Sequence, residues 1–85
     1  MPLLMPVFVA GAARAGSTLR VYANQILLGE TVATPNGRFL IEATRELPVG
    51  DYIVRADMLS GDGRTVIGRA AVPFTRSEGE QIAAV

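Results

Sequence analysis

The stretch Leu47-Pro48-Val49-Gly50-Asp51-Tyr52, running into Ile53-Val54-Arg55-Ala56-Asp57-Met58-Leu59, decides the fold. Pro48 and Gly50 break the chain and turn it. Tyr52 then opens a run of strand composition. A leucine, a Pro–Gly corner and a tyrosine just inside the next strand form the arrangement of a tyrosine corner. It predicts the ring of Tyr52 in the core, with its hydroxyl reaching back to a backbone group a few residues upstream. Such a bond pins a connection that crosses between two sheets. Alternation in the following strand puts Tyr52, Val54, Ala56 and Met58 inward, and Ile53, Arg55, Asp57 and Leu59 outward.

Upstream of the corner the chain reads as short strands separated by turns. Pro6 to Ala10 is an edge strand with proline at its start, where sheets tolerate it. Gly11 to Gly16 is a small-residue turn. Ser17 to Ala23 alternates, with Leu19, Val21 and Ala23 on one face and Arg20 and Tyr22 on the other. Asn24-Gln25 is a tight hairpin, and Ile26-Leu27-Leu28 begins the return strand. Gly29 leaves the later phase open between Thr31 with Ala33 and Val32 with Thr34, and a bulge there allows the switch. Pro35-Asn36-Gly37 is the strongest turn signal. Arg38 to Ala43 follows, with Phe39 and Ile41 inward.

Downstream, Ser60-Gly61-Asp62-Gly63 is a hairpin loop. Thr65 to Phe74 carries Val66, Gly68, Ala70, Val72 and Phe74 on one face, and Ile67, Arg69 and Ala71 on the other. Pro73 places this strand at an edge or ends it. Thr75 to Val85 loses the alternation, so residues 77–85 read as a linker or the start of a further segment. Apolar residues nowhere keep helical period for three turns. About seven short strands with frequent turns predict an all-β, two-sheet antiparallel sandwich over residues 1–76.

The 85 residues suffice for one domain. A chain of this size buries roughly 60–65% of its extended surface, one modest core. Eight acidic residues balance eight basic ones, so neither nucleic acid nor an anionic membrane has an electrostatic footprint to meet. All the basic residues are arginine, in keeping with a GC-rich coding bias. Met1 to Ala15 is apolar, but it lacks a basic leading region, and Pro2 and Pro6 interrupt it. It reads as a lead-in plus first strand. Any export signal then lies upstream of this sequence.

Three segments fall in a telling order: Val9-Ala10-Gly11-Ala12-Ala13-Arg14-Ala15-Gly16-Ser17-Thr18-Leu19-Arg20-Val21-Tyr22, then Gly29 to Phe39 with Pro35-Asn36-Gly37 inside it, then Leu47 to Tyr52. This order resembles the bacterial immunoglobulin-like domains that occur as repeats or spacers in envelope and surface proteins. The ending Gly68-Arg69-Ala70-Ala71-Val72-Pro73-Phe74-Thr75-Arg76 is similar to the Ig-like domain preceding a LysM module in alphaproteobacterial peptidoglycan-binding proteins. Thr34 stands where that pattern usually has aspartate, which predicts a turn without its side-chain acceptor. Phe39 stands where tryptophan is common. The resemblance implies an Ig-like sandwich, location in the cell envelope or periplasm, and a non-catalytic structural or spacer role. The implied partner is a neighbouring domain, with peptidoglycan held through a LysM neighbour.

Histidine and cysteine are absent, which removes the common nucleophile pairs and transition-metal ligands. Ser17, Ser60 and Ser77 sit in turns or the tail, where hydroxyls bond the local backbone. The Ser60–Gly63 loop with Asp57 lacks the ligand count of an EF-hand loop. Glu42 with Glu46 reads as solvated charge rather than a glycosidase pair. Neither an enzyme nor a cofactor is expected. The one surface feature is the outward set Ile53, Arg55, Leu59, Ile67 and Arg69, on adjacent strands of one sheet face. It is either an ordinary exposed face or a docking face for a neighbouring domain or second copy. The alternative function is therefore a protein- or glycan-binding module using that face or the loops, with weak self-association among its outcomes. Tyr22 is the one plausible exposed ring, which disfavours carbohydrate.

Overall fold

The computed structural model describes residues 7–43, 47–77 and 81–85. It is a two-sheet β-sandwich. The strands are β1 (Val7–Ala12), β2 (Thr18–Ala23), β3 (Ile26–Val32), β4 (Arg38–Glu42), β5 (Gly50–Leu59), β6 (Val66–Arg76) and β7 (Gln81–Ala84). One sheet has the order β4-β1-β7 and the other β3-β2-β5-β6. The inward residues Val9, Val21, Leu28, Phe39, Leu47 and Val54 interleave between the sheets as one buried cluster. Alternation in β2 and β4 follows from this single buried face: Leu19, Val21 and Ala23 are covered, as are Phe39 and Ile41.

Two turn regions close one end of the sandwich together. Ala13 N–H donates to the Gly37 carbonyl at 3.0 Å, and Ala33 N–H to the Ser17 carbonyl at 2.9 Å. Pro35 presets the turn and Gly37 takes a φ of 74°. Thr34 does supply a side-chain acceptor here, because its Oγ1 receives the Arg38 N–H at 3.2 Å. The expected loss of that acceptor is therefore corrected: a hydroxyl one atom out from Cβ reaches the same amide.

Bulges reset the phase twice. Between β2 and β3, Val21 faces Gly29 and Tyr22 faces Leu27, so Leu28 is the extra residue. Beyond it Thr31 and Ala33 take the inward phase, and Val32 is exposed. Between β5 and β6, Met58 faces Gly68 but Leu59 faces Val66. Val66 therefore lies on the outer face beside Ile67, not inward with Gly68 as strict alternation predicts.

Three further expectations are corrected. The first strand is not an edge strand, because β1 lies between β4 and β7. The described residues 81–85 of the expected linker belong to the sandwich. Gln81–Ala84 form β7, with Ala83 buried at 4%. The sandwich is also not wholly antiparallel, because β7 pairs with β1 in parallel, Val7 opposite Gln81 and Ala10 opposite Ala84. Val85 N–H continues the ladder onto the Ala10 carbonyl at 2.8 Å. The physical reason is topological. β7 takes the edge of β1 opposite β4 and runs in the same direction as β1.

Gly11 is required by close approach. A Cβ there would lie 2.6 Å from both the Phe39 ring and the Val85 carbonyl oxygen. The first sheet closes over the core at that point with no room for a side chain.

Candidate interaction surface

The corner residues Leu47, Gly50 and Tyr52 come together as the sequence predicts. Leu47 is 1% exposed and belongs to the core cluster. Gly50 starts β5 with a φ of 157°, a conformation that side chains rarely adopt. The Tyr52 ring is half-buried against the core, and its hydroxyl donates to the Pro48 carbonyl at 2.8 Å. Arg76, 1% exposed at the end of β6, donates from Nε to the neighbouring Leu47 carbonyl at 3.2 Å. The crossing from one sheet to the other is thus held by side-chain donors on two consecutive carbonyls. Tyr52→Phe is expected to cost about 1–2 kcal/mol. Denaturant unfolding reads this as a lower midpoint at unchanged m-value, and an unchanged midpoint would show that the hydroxyl does not hold the crossing.

The outer face of the four-stranded sheet is organised in cross-strand rows. Glu30, Arg20, Asp57 and Arg69 lie in register across β3, β2, β5 and β6. Their charges alternate. Arg20 Nε donates to Glu30 Oε2 at 2.9 Å. Arg69 holds Asp57 with two bonds, Nε to Oδ1 at 2.8 Å and a terminal nitrogen to Oδ2 at 3.2 Å. Hydrogen bonding to Glu30 raises the Arg20 guanidinium above its ordinary range, and bonding to Asp57 does the same for Arg69. In the next row the Arg55 guanidinium stacks 4.4 Å above the centre of the Tyr22 ring. Arg55 Nε also lies 3.1 Å from Asp57 Oδ1. That contact is an ion pair without hydrogen-bond direction, and it leaves the Arg55 Nε–H without an acceptor.

The sequence-predicted interaction set divides on this face. Ile53 and Ile67 are exposed, at 51% and 50%. Arg55 and Arg69 share the face but are committed to Asp57 and Tyr22. Leu59, expected outward and accessible, is 6% exposed, in a depression it shares with Ser17, Thr18 and Ile67. Asp57, expected as an outward charge, is 4% exposed because arginines flank it along its strand and across it. This face is therefore a lattice of paired charges, with the Arg55 Nε–H left over and scattered apolar residues at its rim.

The contiguous apolar surface lies instead on the three-stranded sheet. Its middle row is Leu40, Ala10 and Ala84, in register across β4, β1 and β7. One row along, Phe8 stands between Glu42 and Ile82. On the other side Ala12 stands beside Arg38. Leu40 and Ile82 are 59% and 64% exposed. The sequence carried a signal for this face. Leu40 is the outward residue between Phe39 and Ile41, and Ile82 belongs to an apolar run that a linker does not need.

Between the sheets a cleft of about 200 Å³ opens beside Leu19, Met58, Gly68 and Ala70. It is smaller than the roughly 300–1,000 Å³ of typical ligand sites. In the hairpin loop, Asp62 accepts from the Ser60 hydroxyl and from Arg64 N–H at 3.0 Å. Those bonds, the Ser60 one foremost, hold its carboxyl below the usual range. Among the described residues no group of three or more acidic, histidine or cysteine side chains converges as a metal site, and no helix is long and apolar enough to cross a membrane.

No family model, curated protein or solved structure matches this chain.

Proposed function

We propose that this chain is a non-catalytic Ig-like spacer domain of a bacterial cell-envelope protein, of the kind that carries a peptidoglycan-binding LysM module. The observation that supports this reading is the parallel pairing of β1 with β7. Parallel neighbours run the same way, so the chain enters β1 at one end of the sandwich and leaves β7 at the other. A domain threaded in this manner adds its own length between whatever precedes and follows it. It sets reach and orientation for a neighbouring binder and raises that binder's local encounter rate without touching glycan. Tyr22, on the outer face of the four-stranded sheet, is covered by Arg55 and offers no open aromatic platform. The chain alone is therefore expected to stay in the supernatant when peptidoglycan is pelleted. Co-sedimentation of the purified chain with peptidoglycan sacculi tests this. Robust pelleting that is lost on mutating a loop would replace the spacer with a glycan-binding module. The second reading, protein binding through a sheet face, is favoured by the apolar surface of Leu40, Phe8 and Ile82.

A further inference from the structure

We infer that the outer face of the three-stranded sheet docks a second copy of this chain, face to face, about a twofold axis. The inference stands apart from the spacer reading and rests on the pattern of that face. Arg38 and Glu42 sit at opposite ends of edge strand β4, with Leu40 between them. All three point outward and are exposed. Neither charged side chain has an ion pair with another described residue.

A twofold axis lying along the Leu40–Ala10–Ala84 row turns the face onto itself with strand direction reversed. It brings Arg38 of each copy over Glu42 of the other. It also brings Phe8 over Ala12, a large side chain over a small one, because Phe8 and Ala12 flank Ala10 symmetrically on β1. Leu40 then meets Leu40. Charge and volume are both self-complementary under one operator, as an isologous contact demands. Sheets stacked in this manner lie about 10 Å apart, with strands within about 30° of parallel or antiparallel, compatible with the twist of each. On the four-stranded sheet Arg20 with Glu30 and Arg69 with Asp57 are already paired within the copy.

The face is small. Three strands of four to six residues span roughly 250 Å². That lies well under the roughly 800 Å² per partner of a stable complex, so the dimer is transient. Self-association is expected at about 1 mM and not at about 10 µM.

The test uses charge reversal at two exposed positions, Arg38 and Glu42. Arg38→Glu leaves two acids on the face, and Glu42→Arg leaves two arginines. Each variant alone is expected to sediment as a monomer at about 1 mM, where the native chain self-associates. An equimolar mixture of the two is expected to recover association to the native level, because every cross-pair is then opposite in sign. Amide shifts of Phe8, Ala10, Leu40 and Ile82 should move with concentration in the native chain and in the mixture. A monomeric native chain at about 1 mM overturns the proposal. So does a mixture no more associated than its parts, or concentration-dependent shifts on the four-stranded sheet in place of these. Circular dichroism and thermal melts of both variants confirm that each is folded before the comparison.

Discussion

Gly11→Ala is expected to lower stability by about 2–3 kcal/mol, a drop of roughly 10–20 °C in melting temperature for a domain of this size. The added methyl would sit 2.6 Å from the Phe39 ring and 2.6 Å from the Val85 carbonyl oxygen. The ring can shift by rotation. The carbonyl belongs to the backbone that continues the β1–β7 ladder, so relief there requires the last strand to move outward. The effect should therefore appear as faster hydrogen exchange at the Val85 amide, which bonds Ala10, as well as in the melt. Gly61→Ala is the control, since nothing lies within 4 Å of a Cβ at that position. If the two variants melt together, the close approach at Gly11 is not a constraint on folding.

Arg76→Ala is expected to cost about 3 kcal/mol, more than Tyr52→Phe. Arg76 is among the largest fully buried side chains of the molecule. Truncation removes its aliphatic stem from the packing and leaves the buried Leu47 carbonyl without the Nε–H donor. Arg76→Lys should recover only part of the loss, because an ammonium cannot reproduce the planar donor set. Arg76 and Tyr52 hold adjacent carbonyls of one crossing, so their effects should not add. A double-mutant cycle in guanidinium is expected to give a coupling of about 0.5–1 kcal/mol. An Arg76→Ala midpoint within experimental error of the native one would show that the crossing holds without it.

Much of this fold is legible in the residues because local turn chemistry and alternation agree. Asn24-Gln25, Pro35-Asn36-Gly37 and Leu47 to Tyr52 each specify a turn by backbone preference alone, and each turn forms. Asn24 even exceeds its expected part. At a φ of 52° it makes the hairpin turn, and its Oδ1 accepts the Ile53 N–H at 2.9 Å, tying the tip to β5. What is illegible depends on register across strands. Asp57 looks like a solvated charge until Arg20 and Arg69 are known to flank it in one row. Arg76 continues the inward series Val72, Phe74, Arg76, yet its charge argues for the surface, and only the nearby crossing makes burial tolerable. β7 is short, with Ala83 its one residue of known inward burial, so it carries too little alternation to register as a strand. The apolar face is only partly legible: Leu40 reads as outward between Phe39 and Ile41, but Ile82 joins the face only once β7 lies beside Phe8.

The parallel alignment of β1 and β7 has a mechanical consequence. Tension applied through the two ends of the sandwich pulls β1 one way and β7 the other along their shared axis. Every hydrogen bond from the Val7–Gln81 pair to the Ala10–Ala84 pair is then loaded together, in shear. A hairpin pulled at its open end yields one bond at a time. Here no bond can yield before its neighbours share the force, and the four-stranded sheet stays shielded until they do. Resistance to stretching is governed by the barrier to unfolding rather than by overall stability. In this molecule that barrier is concentrated in a patch of sheet only a few residues long, closed at one end by the contact of Gly11 with Val85.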